Sequence, residues 1–477
     1  MGTRLKALDL AFLALETRKT PVNVAGLVVF EIPKDYRGNF VRDLLGKLET
    51  CQPGPPFNQK LSTGGPVALR EWITDTHFDF DYHVRHSALP KPGSMDDLFA
   101  LASRLHSRVM DRERPLWEFH LIEGLKGRRF AMYMKMHHAA IDGMGGIAIL
   151  ESCFSEDPQA PVRAPWQGSP PKARAANPGG LLSFLDSAAK QVLNQAQLGV
   201  ELGRMVVGHS MKPLGLKPDD SPIPFSAPNS CFNVPISGAR RFHAETLSLV
   251  ELKALGKQAG ATVNDMVLAI CAGALRAYLL EKDALPERTL VATVPVSVRQ
   301  INRTGNQITY VTAKLGTDLA DPMARLRAIG ASTVQAKQEV ASVSPAAATS
   351  FAVMAQGLVA VLNRFHLTDL LPPPANVTIS NIPGPRKALY FGGARMLADY
   401  PLSVLVDGQA LNITVISYAD AIDFGLMACR DTVPDVDHLG ELMRAAIAEL
   451  KAAIEKPQPI RKPKLKSTSR LRKRSQP

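Results

Sequence analysis

The amino-acid sequence predicts a mixed α/β protein with at least two lobes, and three observations support this prediction. The chain has 477 residues, which is more than one hydrophobic core usually supports. Segments with the alternating pattern of strands are interspersed with segments of helical spacing along its length. Six prolines lie between Glu156 and Gly180, a density that is typical of a linker. We therefore expect a lobe boundary in this stretch.

The same observations divide the chain into four parts. Residues 1–155 are predicted to form a first lobe and residues 240–455 a second lobe. Residues 156–239 are predicted to connect them as a Pro-rich linker with one long amphipathic helix at 182–206, where polar residues recur at spacings of three and four. Residues 456–477 are polar, basic and rich in proline, so this tail is predicted to be disordered.

Hydrophobic spacing predicts the helices and strands of each lobe. In the first lobe it indicates helices at 5–15 and 98–109, strands at 25–32 and 130–137, and a helix that begins within 146–154. In the second lobe it indicates helices at 250–258, 263–280 and 437–454, an Ala-rich helical stretch at 345–362, and strands at 290–298, 377–382, 408–418 and 421–428. Both lobes are thus expected to combine helices with strands.

Composition excludes several classes of protein. With 45% hydrophobic and 21% charged residues, the chain is neither disordered nor collagen-like. Its five cysteines form no CxxC pair, which indicates reduced thiols, a cytoplasmic protein and no structural zinc site. The apolar N-terminal segment is too short for a signal peptide, and no run of about 18 uninterrupted apolar residues occurs. Any membrane contact is therefore expected to be peripheral.

The positive charge is concentrated in the tail. The formal net charge is +12, but nine Lys or Arg residues and no acidic ones lie in residues 456–477, which leaves +3 for the rest of the chain. A nucleic-acid-binding domain would carry a basic face on its folded part, so nucleic acid is not an expected partner. A basic tail instead suits an anionic membrane or lipid-droplet surface, although most charged tails are simply solvated.

Two adjacent histidines, His137 and His138, are the most specific chemical feature. They end a predicted strand and are followed by Asp142 and Gly143. A neutral imidazole held at a strand end can take a proton from an alcohol and return it to a leaving group. Because successive strand residues point to opposite faces, the two histidines are expected to differ in role. Two structural histidines remain an alternative, and a metal pair is disfavoured because no HExxH-type spacing occurs.

Several segments resemble one known family. His137 to Gly143 has the pattern HHxxxDG, and five further segments occur in the expected order: RPLWE at 114–118, VND at 263–265, VPVSVR at 294–299, NIPGP at 381–385, and LNI at 411–413 followed by Ser417 and Tyr418. Together they resemble the bacterial wax ester synthase/acyl-CoA:diacylglycerol acyltransferases of the chloramphenicol acetyltransferase-like superfamily. The resemblance runs from Leu5 to Ile454. It implies a two-lobed fold with mixed sheets and a substrate tunnel between the lobes.

The resemblance also implies roles for the histidine motif. His138 would be the general base for acyl transfer from a long-chain acyl-CoA to a fatty alcohol or a diacylglycerol, and His137 would be structural. Asp142 would form a salt bridge, for which Arg299 is the expected partner, in preference to orienting His138 as a triad acid does. Gly143 would provide backbone freedom close to the substrate.

Outside that motif, Asn264 is the principal candidate. The resemblance implies that its side-chain amide stabilises the oxyanion of the tetrahedral intermediate, whereas its position at a predicted helix start also fits a simple N-cap. The adjacent Asp265 is expected to contact substrate. Gly357 is expected to leave room for the acyl chain, with a tolerated helix glycine as the alternative.

Acyl-CoA is expected to be a substrate, and no metal or prosthetic group is implied. Two other functions stay open. One is a condensation-type acyltransferase that uses carrier-protein thioesters. The other is a catalytically inactive scaffold on a lipid surface, against which the intact His138, Asp142 and Asn264 argue. The expected location is cytoplasmic, with peripheral attachment to a membrane or lipid droplet.

Overall fold

The computed structural model describes residues 2–5, 7–65, 70–141, 149–168, 227–298, 307–341 and 372–456. The predicted helices at 182–206 and 345–362 and nearly all of the basic tail lie outside these ranges. Within 146–154, residues 149–153 are helical.

The described chain up to the histidine pair contains seven strands and four helices. In order they are β1 (Thr3–Arg4), α1 (Ala7–Leu15), β2 (Asn23–Glu31), α2 (Phe40–Glu49), β3 (Gln59–Leu61), β4 (Glu71–Thr74), α3 (Phe80–His83), β5 (Val84–Ala88), α4 (Met95–His106), β6 (Trp117–Leu125) and β7 (Arg129–His137). The predicted helices at 5–15 and 98–109 and strands at 25–32 and 130–137 are confirmed, with ends shifted by a few residues.

From residue 240 the described chain alternates again between strands and helices. In order they are β8 (Arg240–Ser248), α5 (Leu249–Ala259), α6 (Val263–Glu281), β9 (Val291–Val298), β10 (Gln307–Lys314), α7 (Pro322–Ala341), β11 (Val377–Ile382), β12 (Tyr390–Phe391), β13 (Ala394–Leu402), β14 (Leu411–Tyr418), β15 (Ala421–Cys429) and α8 (Val436–Glu455). The prediction included neither β10 nor β13. Both faces of β13 are largely buried, so it lacks the alternation that marks a half-buried strand.

The strands in the described ranges form two six-stranded sheets and one small sheet. The first large sheet has the order β12-β13-β2-β7-β6-β5, and the second has the order β10-β9-β11-β14-β15-β8. Strands β1, β4 and β3 form the small sheet. Helices α5 to α8 contribute most of the hydrophobic core on one face of the second sheet.

The first sheet takes two strands from the sequence assigned to the second lobe. Strand β13 runs antiparallel to β2, with Leu402 opposite Ala25, and β12 pairs with β13. A division into contiguous lobes at 1–155 and 240–455 therefore does not describe the sheets. Which strand joins which sheet depends on long-range pairing, which a local hydrophobic pattern does not specify.

The two sheets meet where β13 packs against β15. The backbone N–H of Asp399 donates to Oδ2 of Asp423 at 2.9 Å. A Cβ atom at Gly425 would lie 1.9 Å from the carbonyl oxygen of Pro401, so only glycine allows the two backbones to approach this closely. The first and second sheets are joined here by a close backbone contact.

The described ends of the predicted linker are packed parts of the fold. Trp166 is fully buried and its Nε1 donates to the carbonyl oxygen of Cys51 at 2.8 Å. Phe232 is fully buried in the core of the second sheet. The proline-rich sequence at 158–165 thus leads into a buried 3₁₀ turn at Pro165–Gln167, because the Trp166 indole gains apolar burial and a hydrogen bond there.

Among the described residues, one helix is long and apolar enough to cross a membrane. It is α6, and 72% of its apolar window is buried inside the protein. This degree of burial is typical of a helix in the hydrophobic core of a protein. The prediction based on uninterrupted apolar runs did not include it.

Candidate active site

His137 ends β7 and is completely buried. Its Nδ1 accepts the backbone N–H of Ala139 at 3.0 Å, and its Nε2 lies 3.2 Å from Oε1 of Glu16. Since Nδ1 accepts a proton donor, the proton of the neutral ring resides on Nε2, the nitrogen that lies beside Glu16. Nδ1 of His137 is thus hydrogen-bonded within the turn that leads to His138, and Nε2 lies against a buried carboxylate.

Glu16 is the centre of this support, and it was not among the residues predicted for the site. Arg112 donates to Oε2 of Glu16 from Nε at 3.1 Å and from Nη2 at 3.0 Å, and the N–H of Val22 donates to Oε1 at 3.3 Å. Burial by itself would raise the pKa of this carboxyl, but the contacts with His137 and Arg112 and the positive charge of Arg112 outweigh it and hold the pKa below its usual value. The only signal in the sequence was one acidic residue directly after an apolar helix.

His138 is oriented by different contacts. Its backbone N–H donates to the carbonyl oxygen of Val22 at 2.9 Å, and its ring stacks on Phe12 with 4.2 Å between ring centroids and 28° between ring planes. Unlike His137, it is only partly buried. The structure thus separates the two histidines, one enclosed and one at a partly exposed position.

A second buried ion pair joins β6 to β7, two residues before His137. The Nζ of Lys135 is 3.2 Å from Oε2 of Glu118 and donates to the carbonyl oxygen of Leu105 at 3.0 Å. Burial opposes the charge on Glu118, yet hydrogen bonding from His120 and the charge of Lys135 lower its pKa to about 2. The neighbouring Trp117 is buried and donates to the carbonyl oxygen of Phe57, so this residue of the RPLWE segment is part of the core.

The start of α6 places Asn264 in the first turn. Thr262 is the N-cap: its hydroxyl accepts the N–H of Asp265 at 3.2 Å, while Oδ2 of Asp265 accepts the N–H and the hydroxyl of Thr262 at 3.0 and 2.6 Å. The alternative that Asn264 is itself the N-cap is therefore wrong. Oδ1 of Asp265 accepts the Thr333 hydroxyl at 2.9 Å. These bonds give Asp265 a capping role, and its expected contact with substrate stays a prediction.

The Asn264 side chain contacts a strand of the second sheet. Its Oδ1 lies 3.5 Å from Nδ2 of Asn381, which comes from β11 and the NIPGP segment. In this contact the oxygen end of the Asn264 amide faces Asn381. Its Nδ2 group, which carries the N–H donors, is then on the side of the amide away from Asn381. The residue also occupies the positive end of a 19-residue helix, where negative charge is favoured.

Four predicted residues lie outside the described ranges: Asp142, Gly143, Arg299 and Gly357. The salt bridge expected between Asp142 and Arg299 and the acyl-pocket role of Gly357 stay predictions. Within the described part of the chain, no three His, Cys, Asp or Glu side chains are grouped so that they could hold a metal ion.

Two joined six-stranded sheets with helices on their faces define the chloramphenicol acetyltransferase-like class, which confirms the predicted fold. The chain matches the starter condensation domain of rhizomide synthetase with a TM-score of 0.56 over 96% of both chains, and the 16% identity shows the fold alone. It matches the wax ester synthase/diacylglycerol acyltransferase from Marinobacter aquaeolei with a TM-score of 0.75 and 34% identity, covering 95% of this chain and 99% of that one.

Sequence comparison gives the family. The model of the wax ester synthase/diacylglycerol acyltransferase catalytic domain matches residues 5–267, and that of the C-terminal domain matches residues 304–451. A probable diacylglycerol O-acyltransferase from Mycobacterium tuberculosis is 40% identical over 94% of this chain and 98% of its own length. The O-acyltransferase WSD of Acinetobacter baylyi is 37% identical over 96% and 99%. The chain belongs to the wax ester synthase/diacylglycerol acyltransferase family and is an acyltransferase.

Proposed function

We propose that this protein transfers a long-chain acyl group from acyl-CoA to the hydroxyl group of a fatty alcohol or a diacylglycerol, in a tunnel between its two lobes. The observation that carries the assignment of the base is the contrast within the histidine pair. His137 is completely buried, with Nδ1 hydrogen-bonded and Nε2 against Glu16, whereas His138 is partly exposed and follows it in the turn. His138 is therefore the proposed general base.

The reaction needs one proton carrier and one oxyanion donor. His138 takes the proton of the acceptor hydroxyl, and the alkoxide oxygen bonds to the thioester carbonyl carbon. The side-chain amide of Asn264 and the positive end of α6 stabilise the resulting oxyanion. When the C–S bond breaks, the imidazolium of His138 returns the proton to the CoA thiolate. The products are an ester and free CoA, with no covalent enzyme intermediate.

The remaining assignments complete the proposal. Asp142 fixes the motif loop through Arg299, Gly143 lets the chain turn near the substrate, and Gly357 leaves space for the acyl chain. No bound metal or prosthetic group takes part, and CoA enters only as part of the donor. The family match and the wax ester synthase and diacylglycerol acyltransferase names of the relatives support these substrates.

We further propose that the protein works in the cytoplasm at the surface of a membrane or lipid droplet. The nine cations of residues 456–477 would supply attraction to anionic lipid, at about 1 kcal/mol for each cation near the surface. The substrates and the product of the proposed reaction are lipids, which concentrate at such surfaces.

The test uses the full chain. Purified protein is incubated with palmitoyl-CoA and either hexadecanol or dipalmitoylglycerol, and both CoA release and the ester are measured. Ester formation is expected with at least one acceptor. A folded protein that releases no CoA with either acceptor would instead be the inactive scaffold, and activity only with a carrier-protein thioester would indicate a condensation-type enzyme.

A further inference from the structure

Helix α1 is tied to the protein at both ends. Before it, β1 pairs with β4, with Thr3 opposite Trp72. In its last turn, the carbonyl oxygen of Leu13 accepts Nη2 of Arg112 at 2.7 Å, and the same guanidinium binds Glu16 just after the helix. Further along, Nη2 of Arg240 donates to the carbonyl oxygen of Lys19 at 2.7 Å. These contacts fix the position of α1 beside His137 and His138.

Between these anchors, α1 contacts the active site through apolar groups. Leu13 is buried, and Phe12 lies flat against the His138 ring. The side chains that pack together here are Leu5, Phe12, Leu13, Leu61, Trp72, Met110, Leu116, Ala139 and Ala140, which we call the α1 cluster. One face of the His138 ring is therefore covered by an apolar surface, and a ring separation of 4.2 Å leaves no room for a water molecule between the two rings.

We propose that Phe12 keeps water away from the ring face of His138 that it covers, and that this shielding favours acyl transfer to the alcohol over hydrolysis of the thioester. The inference rests on the proposed role of His138 as general base. A base that can deprotonate an alcohol can also deprotonate water, whose concentration far exceeds that of any lipid acceptor. Selection of the alcohol therefore requires that the position beside the base exclude water.

The competing reaction is hydrolysis of the donor. His138 would take a proton from water, the remaining hydroxide oxygen would bond to the acyl carbonyl carbon, and the C–S bond would break. The imidazolium would then protonate the CoA thiolate, giving a free fatty acid and CoA. A smaller residue at position 12 would open a cavity next to a polar imidazole, and a cavity with a polar wall and enough volume holds water.

The test measures how the acyl group divides between alcohol and water. Wild-type protein, Phe12→Ala and Phe12→Leu are given palmitoyl-CoA with hexadecanol, and palmitic acid and palmityl ester are quantified in the same samples. The acid-to-ester ratio is expected to rise about tenfold in Phe12→Ala, which corresponds to about 1.4 kcal/mol of lost discrimination between the two acceptors. In Phe12→Leu it is expected to rise less. Leu10→Ala is the matched control, because Leu10 is on the same helix and outside the α1 cluster.

The ratio also separates this inference from the proposed function. If Phe12→Ala and Phe12→Leu reduce turnover but keep the wild-type ratio, Phe12 only orients the ring and the inference is wrong. Should Phe12→Ala not fold, Phe12→Leu alone decides, since it keeps most of the apolar volume. A folded His138→Ala variant that still forms ester would contradict the proposed base, whatever the ratio in the Phe12 variants.

Discussion

The two candidate catalytic groups are supported in different ways. At the end of β7 in the first sheet, His138 directly follows His137, which lies against the Glu16–Arg112 ion pair. On the second, Asn264 is in the first turn of a helix whose end is fixed by the Thr262–Asp265 capping box and by contact with Asn381. A histidine that acts as a general base needs surroundings that fix its tautomer and its ring orientation. An oxyanion donor needs only a fixed dipole, for which a helix end is sufficient.

This difference predicts a different response to acid. The pKa of Glu16 is lowered in the folded protein, so the stability it contributes is present above its unfolded value near 4.5 and is lost as the pH falls toward the folded value. The support of the base is therefore expected to weaken first under acidic conditions.

The largest effect is expected at the base. His138→Ala should reduce turnover by about a hundredfold to ten-thousandfold, the usual cost of losing a general base, with little change in melting temperature. The check is CoA release with palmitoyl-CoA and hexadecanol. A folded His138→Ala enzyme with wild-type turnover, beside an inactive folded His137→Ala, would reverse the roles of the two histidines.

Asn264→Ala should have the next largest effect. Loss of one oxyanion donor costs about a hundredfold to a thousandfold in turnover and changes the apparent affinity for acyl-CoA far less, since the donor acts on charge that develops in the transition state. Steady-state kinetics separate the two quantities. Asn381→Asp is the matched variant, because a carboxylate at 381 would turn the Asn264 amide around. If Asn264→Ala lowers only the melting temperature, the residue has a structural role alone.

Glu16→Gln tests the charged support without touching the base. The variant leaves Arg112 and His137 without a carboxylate partner, and an unsatisfied buried polar group costs about 1–3 kcal/mol. We expect a lower free energy of unfolding and lower turnover, with the stability of the variant less dependent on pH between 5 and 3 than that of the wild type, since the titrating carboxyl is absent. Denaturant unfolding curves at several pH values measure the free energy of unfolding of both proteins. Identical pH dependence in both proteins would show that Glu16 carries no such linkage.

Asp399→Asn probes the joint between the two regions. Burial, together with the charges of Asp423 and Glu151, raises the pKa of Asp399 from 3.8 to about 7. A raised folded pKa means that stability is fully present below pH 3.8 and is lost as the pH rises through 7. The amide removes this titration, so the variant should gain stability over wild type between pH 4 and 7, by at most about 1.4 kcal/mol per pKa unit. Melting temperatures across this range provide the check, with unchanged turnover expected.

Truncation after Glu455 should affect turnover least. Residues 456–477 lie beyond both candidate catalytic groups, so activity on detergent-dispersed substrates should stay close to that of the full chain. Binding to anionic liposomes should weaken, and salt should weaken binding of the full chain by screening. Cosedimentation at low and high salt measures both effects. Equal, salt-insensitive binding by the two forms would place the lipid contact on the folded part of the protein.

The sequence by itself determined the features that depend on neighbours in the chain. The HHxxxDG pattern identified the histidine pair, hydrophobic spacing located most helices and strands, and the segments around Asn264 and Asn381 indicated the family. The fold class followed from these features together. All of them are local, because a helix end, a strand or a motif is encoded within a few residues.

Only the tertiary structure decided how these parts support one another. It brought Glu16 and Arg112 together across 96 residues, laid Phe12 on His138, gave Asp265 to the capping box, and moved β13 from the second-lobe sequence into the first sheet. Each depends on contacts between residues far apart in the chain, and the free energy of such contacts comes from burial and charge pairing that exist only after folding. A local sequence pattern does not identify the distant residue that a side chain will contact.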